Sequence, residues 1–224
     1  VRREHEKLTV TWSDRGLRII PTLGYLDYIE TMTGYQDQME SMLDNDLRQT
    51  YPDAMRELAN IFADMHDPSL YYDWDTFRSK YRFSLKSWGT PDPNDLRCDL
   101  PKQALEQMKS DMHSVIQENA LKSTNDLWKR MHDTLQRVSK ALGYKEDGKL
   151  QTFKDTLVPA AQELVTQLRT LNITNDSKMV EAANKLEYAF QGRTNESLRE
   201  EGFERDETKS VVDDVLASIP SLDI

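Results

Sequence analysis

The sequence predicts a mainly α protein, an elongated antiparallel bundle of long helices with one small β-hairpin or extended insertion. Three observations predict this fold class. Apolar residues recur every three or four positions over most of the 224 residues. Hydrophobic residues make up only 38% of the chain and charged residues 30%, a balance that suits helices with large solvated faces. Alternation with a period of two, which is typical of a half-buried strand, is clear only over residues 81–86.

The first residues predict a charged helix end and a turn. Because the chain begins at Val1 and residues 2–7 are highly charged, we expect that further residues precede Val1 in the full protein. Residues 9–22 combine β-branched side chains with an Asp-Arg-Gly turn, which predicts a short extended segment or tight turn. Apolar spacing then predicts a helix over about residues 23–50.

Prolines and turn residues divide the next stretch. Pro52 is expected to end the first long helix and to begin a second one, because proline suits the first helical turn. Residues 67–69 should end that helix, and a short helix over about 73–80 should follow. The alternation at 81–86, the turn residues at 91–95 and the stretch 96–100 together predict the hairpin, at about 81–100.

The longest helical pattern covers residues 102–142 and ends at Gly143, a length of about 60 Å at 1.5 Å per residue. Shorter helices follow, one of which Pro159 should kink, and the last covers about 204–218. We therefore expect a helical core over 1–191 with the hairpin inserted at 81–100. Residues 192–224 should form a charged linker and a C-terminal helix that packs on the core.

The charge is concentrated in one segment. The formal net charge is −10, and residues 23–75 alone carry twelve acidic and two basic side chains. Such a segment repels nucleic acid and attracts basic partners. One stripe of the first long helix holds most of its acidic residues, which are candidate partner-binding residues: Asp27, Glu30, Asp37, Glu40 and Asp44. An ordinary solvated helix face would have the same pattern.

A second candidate site interleaves basic and aromatic residues over 77–88. Stacking of bases on aromatic rings beside phosphate-binding cations requires this combination. The alternative nucleic-acid-binding residues are Arg78, Lys80, Arg82, Lys86 and Trp88. An amphipathic strand explains the same aromatic residues more simply.

Trp128 and Arg130 lie in the middle of the longest helix. Tryptophan and arginine are enriched in the hot spots of protein interfaces, so this pair is a third candidate for partner binding. Helix packing with an ion-pair network is the ordinary explanation for such residues.

Several classes of enzyme find no support in the sequence. It lacks the glycine-rich phosphate-binding motifs and the Gly-x-Ser-x-Gly motif, and its four histidines lack the Glu-x-x-His spacing of helical di-iron sites. A single cysteine, Cys98, cannot form an internal disulfide or a thiolate metal site. We therefore assign no catalytic, cofactor-binding or metal-binding residue, and we expect no cofactor.

Eight short motifs, in order along the chain, carry a resemblance to a known family. They are Trp12-x-Asp14-x-Gly16-x-Arg18-Ile-Ile-Pro21, the aromatic-proline segment near Tyr71, Arg82-Phe83, Asp95-x-Arg97-x-Asp99, Asp126-Leu127-Trp128-x-Arg130, Phe153-x-Asp155-x-Leu157, Leu171-Asn172-x-Thr174-x-Asp176 and Ser221-Leu222-Asp223. Together they resemble an uncharacterised family of tailed-bacteriophage proteins whose opening motif is W-x-D-x-G-x-R-L-L-P. Leu96, where the family usually has an aromatic residue, and Pro159, in a helix otherwise free of proline, depart from that pattern.

The resemblance implies a phage protein made in the cytoplasm of an infected bacterium. No run of 18 apolar residues and no signal-peptide pattern occurs, so we expect no membrane partner. The preferred hypothesis is a non-enzymatic protein that acts on a host or phage protein by surface contact. A host-takeover or counter-defence inhibitor with an acidic surface would be one form of it. Single-strand nucleic-acid binding through 77–88 and self-assembly as a structural phage component are the alternatives.

Overall fold

The computed structural model of the protein describes residues 1–14, 16–96 and 99–220. These residues form a mainly α fold with one two-stranded antiparallel hairpin, which confirms the predicted class. The α-helices are α1 (Arg2–Lys7), α2 (Thr22–Ser41), α3 (Arg48–Phe62), α4 (Trp74–Ser79), α5 (Lys102–Leu142), α6 (Leu157–Leu171), α7 (Ser177–Phe190), α8 (Asn195–Arg199) and α9 (Phe203–Ser218). Among the described residues, no helix is both long enough and apolar enough to span a membrane.

The hairpin lies near the start of the chain. Strand β1 (Val10–Thr11) pairs antiparallel with β2 (Arg18–Ile19), and Gly16, with a φ of 79°, supplies the left-handed residue of the turn. The extended segment predicted within residues 9–22 is therefore this hairpin.

The hairpin predicted at 81–100 is wrong, because the described residues 80–96 and 99–101 contain no strand. The alternation is visible only as partial burial of Phe83 and Leu85. Periodicity predicts which side chains are covered, but a strand also needs a hydrogen-bonded partner.

The helix predicted to break at Pro52 continues through it. A π-helical segment, Met42–Leu47, joins α2 to α3, so the backbone stays helical from Thr22 to Phe62. Pro52 is the fifth residue of α3, and its ring opposes the carbonyl of Arg48. After α3, short 3₁₀ turns cover Ala63–Met65 and Pro68–Leu70.

The chain divides into two compact units. The smaller comprises Leu26–Thr90 with Val1, and the larger comprises Arg2–Tyr25 and Pro91–Ile224. The division predicted after residue 191 does not match these units, because α9 belongs to the larger one and packs against α5 and α7 there. The predicted packing of a C-terminal helix on the core is therefore correct, but the boundary is not.

The core of the larger unit lies among α5, α6, α7 and α9. The predicted helix over 102–142 is confirmed as α5, which has 41 residues. Its buried positions recur at steps of three and four in the C-terminal half only: Ser123, Leu127, Trp128, Met131, Leu135, Val138 and Leu142. Pro159 does not kink α6, because it is the third residue of that helix, where its missing N–H group has no intrahelical role.

Arg205 of α9 is fully buried in this core, with 0% exposure. Its guanidinium donates hydrogen bonds to the carbonyl oxygens of Ala141 (2.7 Å) and Leu142 (3.0 Å), at the C-terminal end of α5, and to that of Leu198 in α8. Those carbonyls have no intrahelical donor, and a cation is favourable at a helix C-terminus. Burial lowers the pKa of Arg205 from its ordinary value, and the nearby Tyr144 and Asp206 offset part of that effect.

Candidate functional site

The acidic residues predicted to bind a partner are all exposed on α2 and the π-helical segment of the smaller unit. They do not form one free stripe. Arg78 of α4 binds Asp44 (Nε to Oδ1, 2.9 Å) and Glu40 (Nη2 to Oε2, 3.4 Å). The hydrogen bond from Arg78 and its charge lower the pKa of Asp44. Asp27, Glu30 and Asp37 are the members of the set that remain as an exposed acidic surface.

The same contact removes Arg78 from the predicted nucleic-acid surface, since its guanidinium is bound to carboxylates of its own unit. Lys80 is also engaged, with its Nζ 4.8 Å from the centre of the Tyr72 ring. Arg82, Lys86 and Trp88 are exposed, and Trp88 has 68% of its surface accessible. The structure therefore places three of the five candidate residues where a ligand could reach them.

An aromatic cluster attaches α4 to α3. Tyr51 lies with its ring centre 4.7 Å from that of Phe77 and 5.6 Å from that of Trp74, and its hydroxyl donates to the carbonyl of Tyr72 at 2.6 Å. Phe77 also contacts Tyr81, at 5.1 Å between ring centres. Phe77 and Tyr81 of the predicted binding segment thus pack in an aromatic cluster with α3. They do not form the buried face of a strand, so the amphipathic-strand explanation is wrong as well.

Sequence reasoning missed a surface that follows this cluster. α3, which is described throughout, contains no buried residue, although its apolar side chains lie on one face. Trp74 and Phe77 of α4 cover the beginning of that face at Tyr51, but the C-terminal end and the two 3₁₀ turns expose large apolar side chains. We call these five residues the 61–72 surface: Ile61 (66% exposed), Phe62 (40%), Met65 (81%), Leu70 (77%) and Tyr72 (55%).

The backbone is strained in the middle of this surface. Ala63, which ends α3, has φ 43° and ψ −118°, a conformation that glycine adopts readily and alanine does not. Replacing Ala63 by glycine should therefore stabilise the protein by about 1 kcal/mol, measured by urea unfolding. The matched substitution Ala54→Gly, within α3, should have the opposite sign and destabilise it by about 0.5–1 kcal/mol. Destabilisation by both variants would contradict the strain at Ala63.

Trp128 is not a surface hot spot, and that interpretation is corrected. It is 3% exposed within the core of the larger unit, and its Nε1 donates to Asp176 Oδ2 at 3.2 Å. Asp176 in turn caps α7 through the N–H groups of Lys178 and Met179. The indole therefore joins α5 to the beginning of α7.

Arg130 is turned inward as well, with a side chain 20% exposed. Its Nη2 donates to the carbonyl of Thr9 (2.9 Å) and to Asp126 Oδ2 (2.9 Å). The N–H of Thr11 donates to the same Asp126 oxygen at 2.9 Å. Asp126 and Arg130 of α5 therefore hold the hairpin through hydrogen bonds. For Trp128 and Arg130, the ordinary explanation, helix packing with an ion-pair network, is the correct one.

Two of the eight short motifs, those at residues 12–21 and 126–130, come together at this point. Arg18 donates to the hydroxyl (2.6 Å) and the carbonyl (2.9 Å) of Thr9, and Ser123 Oγ donates to the carbonyl of Thr11 at 2.6 Å. Lys122 binds Asp14 at 2.9 Å. The opening motif and the motif in α5 are thus two sides of one polar joint. Of the other motifs, Arg97 and residues 221–223 lie outside the described residues, as does Cys98.

Asp126 makes this joint sensitive to pH. Burial alone would raise its pKa, but the Thr11 hydrogen bond and the charge of Arg130 outweigh burial and lower it. A folded-state pKa below the unfolded one means that the carboxylate stabilises the protein at neutral pH, and that this contribution is lost as pH falls below about 4.

Asp126→Asn should therefore cost about 1–2 kcal/mol at pH 7, and the difference from wild type should shrink as the pH falls toward 2. Urea unfolding across this range measures it. Asp111→Asn, an exposed change on the same helix, is the control and should alter stability by less than about 0.5 kcal/mol at any pH. A constant difference between wild type and Asp126→Asn over the whole range would contradict the assignment.

A groove of about 680 Å³ runs between α6 and α7. Val165 and Phe190 form its floor, and Asn184 and Glu187 lie on its rim. Arg169 of α6 crosses to bind both rim residues, at 3.0 Å to Asn184 and 2.5 Å to Glu187. Because the rim groups satisfy one another, the groove looks like a helix–helix seam rather than a ligand site.

Among the described residues, no three His, Cys, Asp or Glu side chains lie close enough together to bind a metal ion. His66 stacks on Tyr71, with ring centres 5.3 Å apart, and His132 Nδ1 lies 3.3 Å from Asp133.

Comparison with protein-family models, with curated proteins and with solved structures found no match to this chain.

Proposed function

We propose that the chain is a non-enzymatic interaction protein that binds another protein through the smaller unit. The observation that supports this most directly is the 61–72 surface, where five large apolar side chains are exposed within twelve residues. Single exposed apolar residues are common on soluble proteins, but a concentration of this kind usually marks a contact surface. The resemblance to tailed-phage proteins supports a host or phage protein as the partner, in the cytoplasm of the infected bacterium.

A photo-crosslinking amino acid in place of Phe62 tests the proposal. Introduced into the chain in infected cells, it should capture one protein in stoichiometric yield, because the side chain would lie inside the contact. The same amino acid at Val180, a 48% exposed residue of α7, is the control and should capture nothing specific. Equal capture at both positions, or none at either, would argue against a contact through this surface.

The remaining acidic residues support a narrower form of the proposal, an inhibitor that occupies a basic groove of its target. Asp27, Glu30 and Asp37 would make that contact, because Glu40 and Asp44 are already paired with Arg78. In this form, the triple change to Asn, Gln and Asn should weaken capture at position 62 and make it less dependent on salt.

Binding of single-stranded nucleic acid is the second candidate, supported by the exposure of Arg82, Lys86 and Trp88. A mobility shift with single-stranded DNA should weaken steeply as salt rises. The Arg82→Ala/Lys86→Ala variant should bind less tightly and with a shallower salt dependence, since each lost phosphate contact removes one released counterion. A shift that the double variant leaves unchanged would exclude this segment.

A further inference from the structure

The 61–72 surface has a definite charge around it. Residues 53–75, which contain the C-terminal end of α3 and both 3₁₀ turns, carry six acidic side chains and one basic one, Arg56. Arg56 is itself paired with Asp53. The other acidic residues of this stretch are all exposed: Glu57, Asp64, Asp67, Asp73 and Asp75.

Two of these carboxylates are held in the ionised form by the local fold. Asp67 caps the turn Pro68–Leu70 through the N–H of Ser69 at 2.9 Å, and Asp73 caps α4 through the N–H of Thr76 at 2.8 Å. These hydrogen bonds lower the pKa of both carboxyl groups. Asp67 lies within the 61–72 segment and Asp73 directly after it, and both carry a negative charge near neutral pH.

We infer that the 61–72 surface is the docking site for a cationic amphipathic helix of the partner protein. This inference rests on the proposed function and specifies the chemistry of the partner. The apolar face of such a helix would cover Ile61, Phe62 and Met65, while its Lys and Arg side chains would reach the surrounding carboxylates, Glu57 and Asp64 first.

The secondary structure of the smaller unit favours a helix over an extended peptide. An extended peptide binds by adding a strand to a sheet edge, and the described residues 26–90 contain no strand. At the end of α3, the exposed Ile61 and Phe62 follow the half-buried Leu58 by three and four residues, and the exposed Met65 follows in the next 3₁₀ turn. Ridges of this spacing pack into the grooves of another helix. The helical part of this surface, from Leu58 to Phe62, is about 6 Å long, so the partner helix needs only about two turns in contact.

A designed peptide tests the chemistry without knowledge of the natural partner. The probe is an amphipathic peptide of about 18 residues with Leu on one face and Lys on the other. Two further peptides are the comparison: a scrambled Leu/Lys sequence of equal charge, and an amphipathic Leu/Glu sequence. Isothermal titration of the full chain should show binding of the amphipathic Leu/Lys peptide about tenfold or more tighter than of the scrambled one. The Leu/Glu peptide should not bind.

Variants of the chain locate the site. Ile61→Ser/Met65→Ser should weaken binding of the Leu/Lys peptide by about tenfold or more, because both side chains would be buried on binding. Glu57→Gln/Asp64→Asn should weaken it less and reduce its dependence on salt. Val115→Ser/Val180→Ser changes two exposed apolar residues of the larger unit, 54% and 48% exposed, and should leave binding unchanged. All four apolar side chains are exposed, so folding should be preserved in both double variants.

Equal binding of the two Leu/Lys peptides, or full binding by the Ile61→Ser/Met65→Ser variant, would overturn the inference. The crosslinking experiment at position 62 tests the proposed function independently of the peptide experiment. If crosslinking at position 62 captures a partner whose contact region is acidic or extended, the interaction role stands and the cationic helix does not. If the captured protein is a second copy of the chain, self-assembly replaces both.

Discussion

Replacing Trp128 by alanine is expected to destabilise the protein by about 3–5 kcal/mol in urea unfolding. The side chain is 3% exposed and fills the space between α5 and the start of α7, so alanine would leave a cavity and an unpaired carboxylate oxygen on Asp176. A partner-binding hot spot would behave differently, because its removal weakens binding and leaves the stability of the free protein nearly unchanged.

Two further substitutions separate packing from the hydrogen bond. Trp128→Phe keeps most of the buried ring area and loses the Nε1–H donor, so it should cost about 1–2 kcal/mol. Trp88→Ala removes a tryptophan that is 68% exposed and should change stability by less than about 0.5 kcal/mol. Similar losses for Trp88→Ala and Trp128→Ala would contradict the assignment of Trp128 to the core.

Arg205→Met should cost about 3–4 kcal/mol, a loss comparable to that of Trp128→Ala. Methionine can fill much of the volume of the arginine side chain. The carbonyl oxygens of Ala141, Leu142 and Leu198 would, however, lose their hydrogen-bond donor while buried from solvent. Each buried acceptor without a partner costs about 1–3 kcal/mol. The midpoint of urea unfolding, at constant m value, measures the loss.

The matched control for Arg205 is Arg199→Met. Arg199 is also an arginine of the C-terminal helices, but its side chain is 49% exposed and pairs with Asp155 on the surface. Exposed ion pairs contribute about 0–1 kcal/mol, so this variant should lose less than about 1 kcal/mol. If both variants lost the same amount, the helix-end contacts of Arg205 would not be the source of its stabilisation.

Local pattern was sufficient to predict the longest helix. α5 begins at Lys102 and ends at Leu142 as predicted, because the apolar period of a long amphipathic helix and a terminal glycine are both readable from neighbouring residues. The same apolar period also predicts that Trp128 is buried. Positions 128, 131, 135, 138 and 142 follow steps of three and four, which places the indole on the buried face.

Contacts between distant residues were not predictable in this way. Arg78 forms ion pairs with Asp44 and Glu40, which precede it by 34 and 38 residues. A charge sum over consecutive residues cannot show that a residue of the basic segment binds two residues of the acidic one. Arg205 stands in a highly charged stretch, and its burial follows from the meeting of the ends of α5 and α8. The predicted strand at 81–86 is wrong for the same reason, because an alternating pattern does not show which other strand would pair with it.

The π-helical segment Met42–Leu47 sets the rotation of α3 about the helix axis relative to α2. α4 is attached at or before that segment by Arg78, which binds Glu40 and Asp44, and after it by Phe77, which packs on Tyr51. Successive α-helical residues are rotated by about 100°, so deletion of one residue here would turn α3 by about that angle relative to α2. Arg78 and Phe77 are adjacent, so α4 could then keep only one of its two attachments. The extra residue of the π-helical segment thus sets the rotation of α3 relative to α2 at which α4 can contact both helices.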